Sequence, residues 1–271
     1  MALSPISLGS LQTSKLIIGG NPFSGFSHQN PQRDREMLEY FTTARIKETL
    51  FQAEALGINT FIGRADRHIM RMLAEYWNEG GKIQWIAQTC PEFGGPLVGA
   101  RFAIHSGATA VYLHGGQMDF LYAQNRLEEA REALQHIRAA GLPAGVSAHK
   151  AFVHQWANEN LEEIDFHMCS YYNPTPRDKN AAHVHGMLEE FSPTDRDEMV
   201  KTIPALRRPA IHYKIFAAGR TPPAEAIEFA ARHMRPQDAV CVGIFPKDNP
   251  AMLAEDLALL ETSLARVKIA G

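Results

Sequence analysis

Residues 110–119 read AVYLHGGQMD: four apolar positions without polar alternation, then His114, two glycines and a carboxamide. An unbroken apolar run of this length is the pattern of a strand covered on both faces, as in a parallel sheet. A histidine at its end needs a hydrogen-bonding partner if it is buried. It is either a satisfied core residue or a chemical group at a strand mouth, and the kind of sheet decides between them.

The same kind of segment recurs along the chain. KLIIGG (15–20), NTFIG (59–63), IQWIAQT (83–89), AGVSA (144–148), DFHMCSY (165–171), AIHYKIF (210–216) and AVCVGIF (239–245) join AVYLHG (110–115) as strand candidates. Helical patterns lie between them, among them RLEEAREALQHIRAAGLP with its 3–4 apolar spacing and Gly-Leu-Pro stop. Eight strands, each followed by a helix, predict one (β/α)8 barrel, a TIM barrel over residues 1–271. An open doubly wound sheet is the alternative, and the count of eight with unbroken alternation favours closure. Two long connections, about 21–46 and 173–196, follow the C-terminal ends of strands. Barrel enzymes build their sites on that face. His114 then sits at the barrel mouth, where an inward side chain meets a cleft.

The composition excludes several classes. The chain has 271 residues, 45% of them hydrophobic, and a formal net charge of −3, with a mean hydropathy of −0.23. Nothing is basic enough for a nucleic-acid surface. No apolar run approaches the ~18 residues of a membrane span. The first residues lack the basic start and apolar core of a secretory signal. Cys90, Cys169 and Cys241 are far apart, without a CxxC pair, which fits reduced thiols in a cytoplasmic protein. The expected partner is a small-molecule substrate, with no nucleic acid and no membrane.

Polar residues gather at the strand ends: Arg64, Asp66 and His68 after the second, Gln88, Thr89 and Cys90 at the third, His149 and Lys150 at the fifth, Tyr171 to Asn173 at the sixth. Strand alternation puts His212 and Lys214 on one face of the seventh strand, and His167, Cys169 and Tyr171 on one face of the sixth. A lysine is poorly tolerated against helices, so Lys214 is expected to point inward. Three chemistries could use this set. They are proton transfer to a carbonyl by His or Tyr, metal-assisted catalysis by histidines and an aspartate, and a Schiff base on a desolvated Lys214. HVH (183–185) falls in a loop and reads as a solvated or lid segment. After the last two strands, FAAGR (216–220) and GIFPKDNPAM (243–252) suggest an anion site made by two loops and a helix start. Arg220 and Lys247 would supply charge, with Asn249 a helix cap and Pro250 at the first helical position.

AEAIEFAARHMRPQDAVCVGIFPKDNPAMLAEDLALL (224–260) is similar to the last strand and cofactor-phosphate helix of the aldo/keto reductases. KLIIGGNPF resembles that family's first strand, ALGINTFIGRA its GINFFDTA segment, and VYLHGG the strand carrying its catalytic histidine. The resemblance is specific at the C-terminus, moderate around His114 and loose elsewhere. It implies NADP-dependent carbonyl reduction, with Lys247 at the phosphate-contacting lysine and Arg220, Gly243 and Asn249 beside the cofactor. The family's Asp-Tyr-Lys-His tetrad is broken here. Gly63 or Ile62 stands at the aspartate, His68 at the tyrosine, and Thr89 or Cys90 at the lysine; the arginine of the last helix is missing.

The reading drawn from this is an atypical reductase of a small carbonyl or sugar-like substrate. Its candidate catalytic residues are His114, His68, Asp66, Lys214 and His149. The alternatives are a cofactor-free or divalent-metal-dependent lyase, isomerase or hydrolase, and a ligand-binding barrel without catalysis.

Overall fold

The computed structural model describes residues 3–183 and 189–270. The chain opens with an antiparallel hairpin, β1 (Ile6–Leu8) and β2 (Leu11–Thr13). Eight parallel strands follow: β3 (Leu16–Gly19), β4 (Thr60–Arg64), β5 (Gln84–Gln88), β6 (Ala110–Leu113), β7 (Ala144–Ala148), β8 (Phe166–Ser170), β9 (Ala210–Tyr213) and β10 (Ala239–Gly243). They pair in sequence order, and β10 returns to β3, with Val240 opposite Leu16 and Val242 opposite Ile18, to close a (β/α)8 barrel. Each strand falls within the segment expected for it, except that β4 runs one residue further, to Arg64.

Inward side chains form one apolar cluster: Ile17, Ile62, Ile86, Ala110, Tyr112, Phe166, Met168, Ile211, Ala239 and Cys241. Ile6, Leu8 and Leu11 belong to the same cluster, so the hairpin plugs the barrel at the end opposite the mouth. The hairpin was missed in the sequence. Its signal is present in ISLGSLQT, where two alternating triplets flank a Gly-Ser turn. Gly9 takes a φ of +59° there, which a residue without a Cβ adopts freely.

Outward side chains pack under the helices. These are α1 (Pro31–Tyr40), α2 (Thr43–Ala55), α3 (Arg67–Asn78), α4 (Pro96–His105), α5 (Gly115–Ala123), α6 (Glu128–Ala139), α7 (Ala151–Asn160), α8 (Pro193–Thr202), α9 (Pro223–His233) and α10 (Met252–Ala270). Leu16, Ile18, Phe61, Trp85, Val111 and Leu113 are all buried in this outer cluster. Each such side chain contributes roughly 1.5–3 kcal/mol of burial free energy. Asn30, Thr42, Asp66 and Ser192 start α1, α2, α3 and α8 with side-chain caps. The first long connection holds a turn at Pro22–Ser24, then α1 and the start of α2. The second is described up to 183 and from 189, and it leads into α8. Among the described residues, no helix is long and apolar enough to cross a membrane. The three cysteines are buried free thiols.

One face assignment is corrected. His212 and Lys214 do not share a face. His212 points outward, its Nδ1 2.9 Å from the Tyr171 hydroxyl and its Nε2 3.5 Å from Asp238. Tyr171 packs edge-on against Phe229 of α9. Lys214 lies in the left-handed region, with φ +59°. The period of two therefore breaks one residue past β9, and the lysine turns toward the mouth. His167, Cys169 and Tyr171 do share a face, and it is the helix side: His167 meets His154 of α7 at 3.1 Å, and Cys169 and Tyr171 lie in the outer cluster.

Candidate active site

His114 is the residue between β6 and α5. Its Nδ1 accepts the backbone N–H of Gly116 at 3.1 Å, so the imidazole caps α5. That bond assigns the proton to Nε2. The Thr89 hydroxyl accepts the His114 backbone N–H at 3.0 Å. Burial, then the neighbouring His149 and the cations Arg177, Arg64 and Lys214, hold His114 far below the usual histidine range, so it is a neutral N–H donor. The two glycines are required by contact. A Cβ on Gly115 would lie 3.0 Å from Ser147 Oγ and 3.1 Å from His149 Cε1, and one on Gly116 would meet the Ala181 carbonyl at 2.6 Å.

Helix α5 carries Asp119, which is fully buried. Its carboxylate takes the Nδ1–H of His149 at 2.8 Å and the backbone N–H of His149 at 3.1 Å. His149 therefore directs an Nε2 lone pair away from Asp119. Burial lowers the His149 pKa while the Asp119 carboxylate opposes the shift. The rings of His114 and His149 are 6.4 Å apart. One presents an N–H and the other a lone pair.

Lys214 is near enough for its charge to bear on both imidazoles. Burial first, with Arg177 adding to it and Glu189 opposing, brings its ammonium pKa down to about 8. Glu189 accepts from His28 Nδ1 at 2.8 Å. Burial resists its ionisation, but the His28 bond and the charges around it hold it below the usual carboxylate range. Arg177 is 6% exposed; it donates to the Ala182 carbonyl at 2.6 Å and lies 3.2 Å from His183 Nδ1. Ser147 donates to the Met168 carbonyl and accepts from the Tyr213 hydroxyl at 2.9 Å.

A cavity of about 450 Å³ opens from the mouth. At the barrel centre Gln88, Tyr112, Met168, Tyr213 and Lys214 line it; toward the periphery it runs between the loops after β3, β9 and β10 to Arg220, Gly243, Phe245, Met252 and Asp256. Arg220 donates to the His28 carbonyl at 3.2 Å and lies over the Phe191 ring. Lys214 and Arg220 are cations suited to a diphosphate, and the loops after β9 and β10 are where barrels hold one. The cleft fits an extended anionic cofactor on these grounds. Lys247 is exposed and does not line the cleft. Asn249 accepts the Ala251 N–H at 2.9 Å and donates to Glu255 at 2.7 Å, a local turn at the entry to α10.

His68 is exposed on the first turn of α3. Asp66 caps that helix by accepting the Ile69 N–H at 3.0 Å, and it also accepts from Arg64 at 3.1 Å. The structure therefore sets His114 and His149 side by side, with Lys214 near enough to bear on both; Lys214, Arg220 and Gly243 line the cleft, whereas His114, His149, Asp66 and His68 are not among its lining residues. His183 approaches Glu189 at 3.8 Å, while Val184 and His185 lie outside the described residues. Among the described residues, no three His, Cys, Asp or Glu side chains form a metal-binding group. Sequence reading did not single out Asp119, Arg177, Tyr213 or Asp256. Asp119 ends the very stretch that decided the fold, but a strand followed by two glycines reads as a loop, and no helix was placed there to carry it.

No protein-family profile matches the chain, and no curated protein does. Solved structures do. A candidate aldo-keto reductase from Pseudomonas aeruginosa matches with a TM-score of 0.66 at 16% identity, over 96% of each chain. The shared feature is the (β/α)8 barrel, which aldo-keto reductases also have. A glycerol dehydrogenase from Gluconobacter oxydans matches with a TM-score of 0.54 at 12% identity, over 98% of this chain and 96% of that one. The N-acetylmannosamine-6-phosphate 2-epimerase from Clostridium perfringens matches with a TM-score of 0.55 at 14% identity, over 90% of this chain and 93% of that one. At such identities the aldo-keto-reductase likeness is one of fold.

Proposed function

We propose that this barrel is an enzyme acting on a small polar carbonyl or sugar-like substrate, as an oxidoreductase linked to a nicotinamide dinucleotide. The observation that carries the reading is the single cleft joining the barrel mouth to the loops after β9 and β10. Lys214 and Arg220 would hold the diphosphate. The bound dinucleotide would supply or accept hydride. The protein's part is to place the carbonyl and hydrogen-bond the oxygen on which charge develops, the proton coming from solvent. His114, which lies near Lys214 beside the cleft, would donate a hydrogen bond from Nε2 to a carbonyl oxygen held at the barrel mouth. His149, held by Asp119, accepts from a neighbouring hydroxyl, which suits a hydroxy-carbonyl. One fold neighbour is a glycerol dehydrogenase, whose name pairs a polyol with oxidoreductase chemistry.

Titration of NADH and NADPH against tryptophan fluorescence tests the reading. Trp85 is a built-in reporter, because its Nε1–H donates to the carbonyl of Gly63 at 3.1 Å and Gly63 lines the cleft. Saturable quenching in the micromolar range supports the reading; no binding up to millimolar nucleotide removes it. A second reading is favoured by one observation. A buried amine with a pKa near neutrality at the mouth has the character of a Schiff-base nucleophile. Borohydride trapping with small carbonyls would add mass at Lys214 if this reading holds, and an unmodified lysine rejects it.

A further inference from the structure

The peripheral end of the cleft departs from the phosphate site that the C-terminal sequence suggested. Asp256 of α10 lines it at 2% exposure, and its Oδ2 is buried with no hydrogen-bond partner among the described residues. It sits one turn beyond Met252, whose sulfur receives the backbone N–H of Phe245 at 3.3 Å. The charge around it is already committed or negative. Arg33 lies over the Phe245 ring at 4.4 Å and is paired with both Glu36 and Asp248. Glu255 is the next residue in α10. The basic residue expected at a phosphate, Lys247, stands exposed outside the cleft.

A buried acceptor without a donor wants a hydroxyl, and a carboxylate repels a phosphate. Resting on the dinucleotide reading above, we propose that this end of the cleft takes an unphosphorylated ribose, so that the cofactor is NADH and NADPH is rejected, with Asp256 the selecting residue. Burial and the nearby Glu255 push the Asp256 carboxyl up to about 7, so the comparison belongs at pH 8, where the group is ionised.

The test is binding of NADH and NADPH to the whole protein at pH 8, by fluorescence and calorimetry, for the wild type, Asp256→Asn and Lys247→Ala. The wild type should bind NADH at least about tenfold more tightly than NADPH, a difference of roughly 1.4 kcal/mol. Asp256→Asn should bring the ratio toward one, and Lys247→Ala should leave it unchanged. A wild type that binds NADPH as tightly as NADH, or more tightly, overturns this inference and leaves the dinucleotide reading standing. So does an unchanged ratio in a folded Asp256→Asn. If neither nucleotide binds the wild type, the reading and the inference both fall. The wild-type ratio needs no variant to fold.

Discussion

At the scale of single residues, the site is a set of buried polar groups whose partners define their states. Asp119 carries the most hydrogen bonds among them, and removing it leaves the Nδ1–H and backbone N–H of His149 unpaired in the interior. Asp119→Ala should therefore cost about 1–3 kcal/mol in urea unfolding and remove the slowly exchanging His149 Nδ1–H resonance from a proton spectrum. If that resonance persists in the variant, Asp119 does not hold the imidazole. Asp256 makes the opposite prediction. Its folded pKa, about 7, lies above the ordinary 3.8, so between those values the folded state binds more protons than the unfolded one. Its presence then lowers stability progressively as pH rises from about 4 to 7. Asp256→Asn should raise the unfolding free energy at pH 8 by on the order of a few kcal/mol, read as a higher melting temperature, and leave it unchanged near pH 4. A gain that does not vary with pH would contradict the assignment.

At the scale of elements, most of the architecture was readable, and of the candidate site His114, His149 and Lys214 were readable while the groups that support them were not, for one physical reason. Apolar periodicity reports which face a strand buries, and the eight barrel strands are buried on both. Short elements with special residues escape it. Helix α5 begins on His-Gly-Gly, poor helix formers, and exists because His114 caps it and because only glycine fits between Ser147, His149 and Ala181. Gly115→Ala should thus destabilise by about 1–3 kcal/mol, more than its gain in helix propensity, measurable as a lowered unfolding midpoint. Lys214 escaped the face assignment because one left-handed residue reverses alternation. Asp66 was read as chemistry where the structure has it capping α3. Asp66→Ala should cost about 1 kcal/mol, and Asp66→Ser, which keeps a capping oxygen, should recover both stability and any activity. Activity lost in the serine variant would return Asp66 to the site.

At the scale of the whole molecule, the barrel has a sealed end and a working end. The β1–β2 hairpin fills the first, with Leu8 fully buried beside the inner layer. Leu8→Ala should cost about 2–5 kcal/mol in chemical unfolding while leaving any nucleotide affinity alone, since the hairpin closes the end of the barrel opposite the mouth. The working end is where stability has been given up. Ala217 and Ala218 both hold positive φ, at 49° and 55°, directly before Gly219 at 82°. An alanine in that conformation costs about 1 kcal/mol relative to glycine. For an engineer, this loop is therefore a reserve of thermal tolerance. Ala218→Gly would harvest it, and the trade would be visible as a hotter-melting protein whose Lys214 is less firmly aimed.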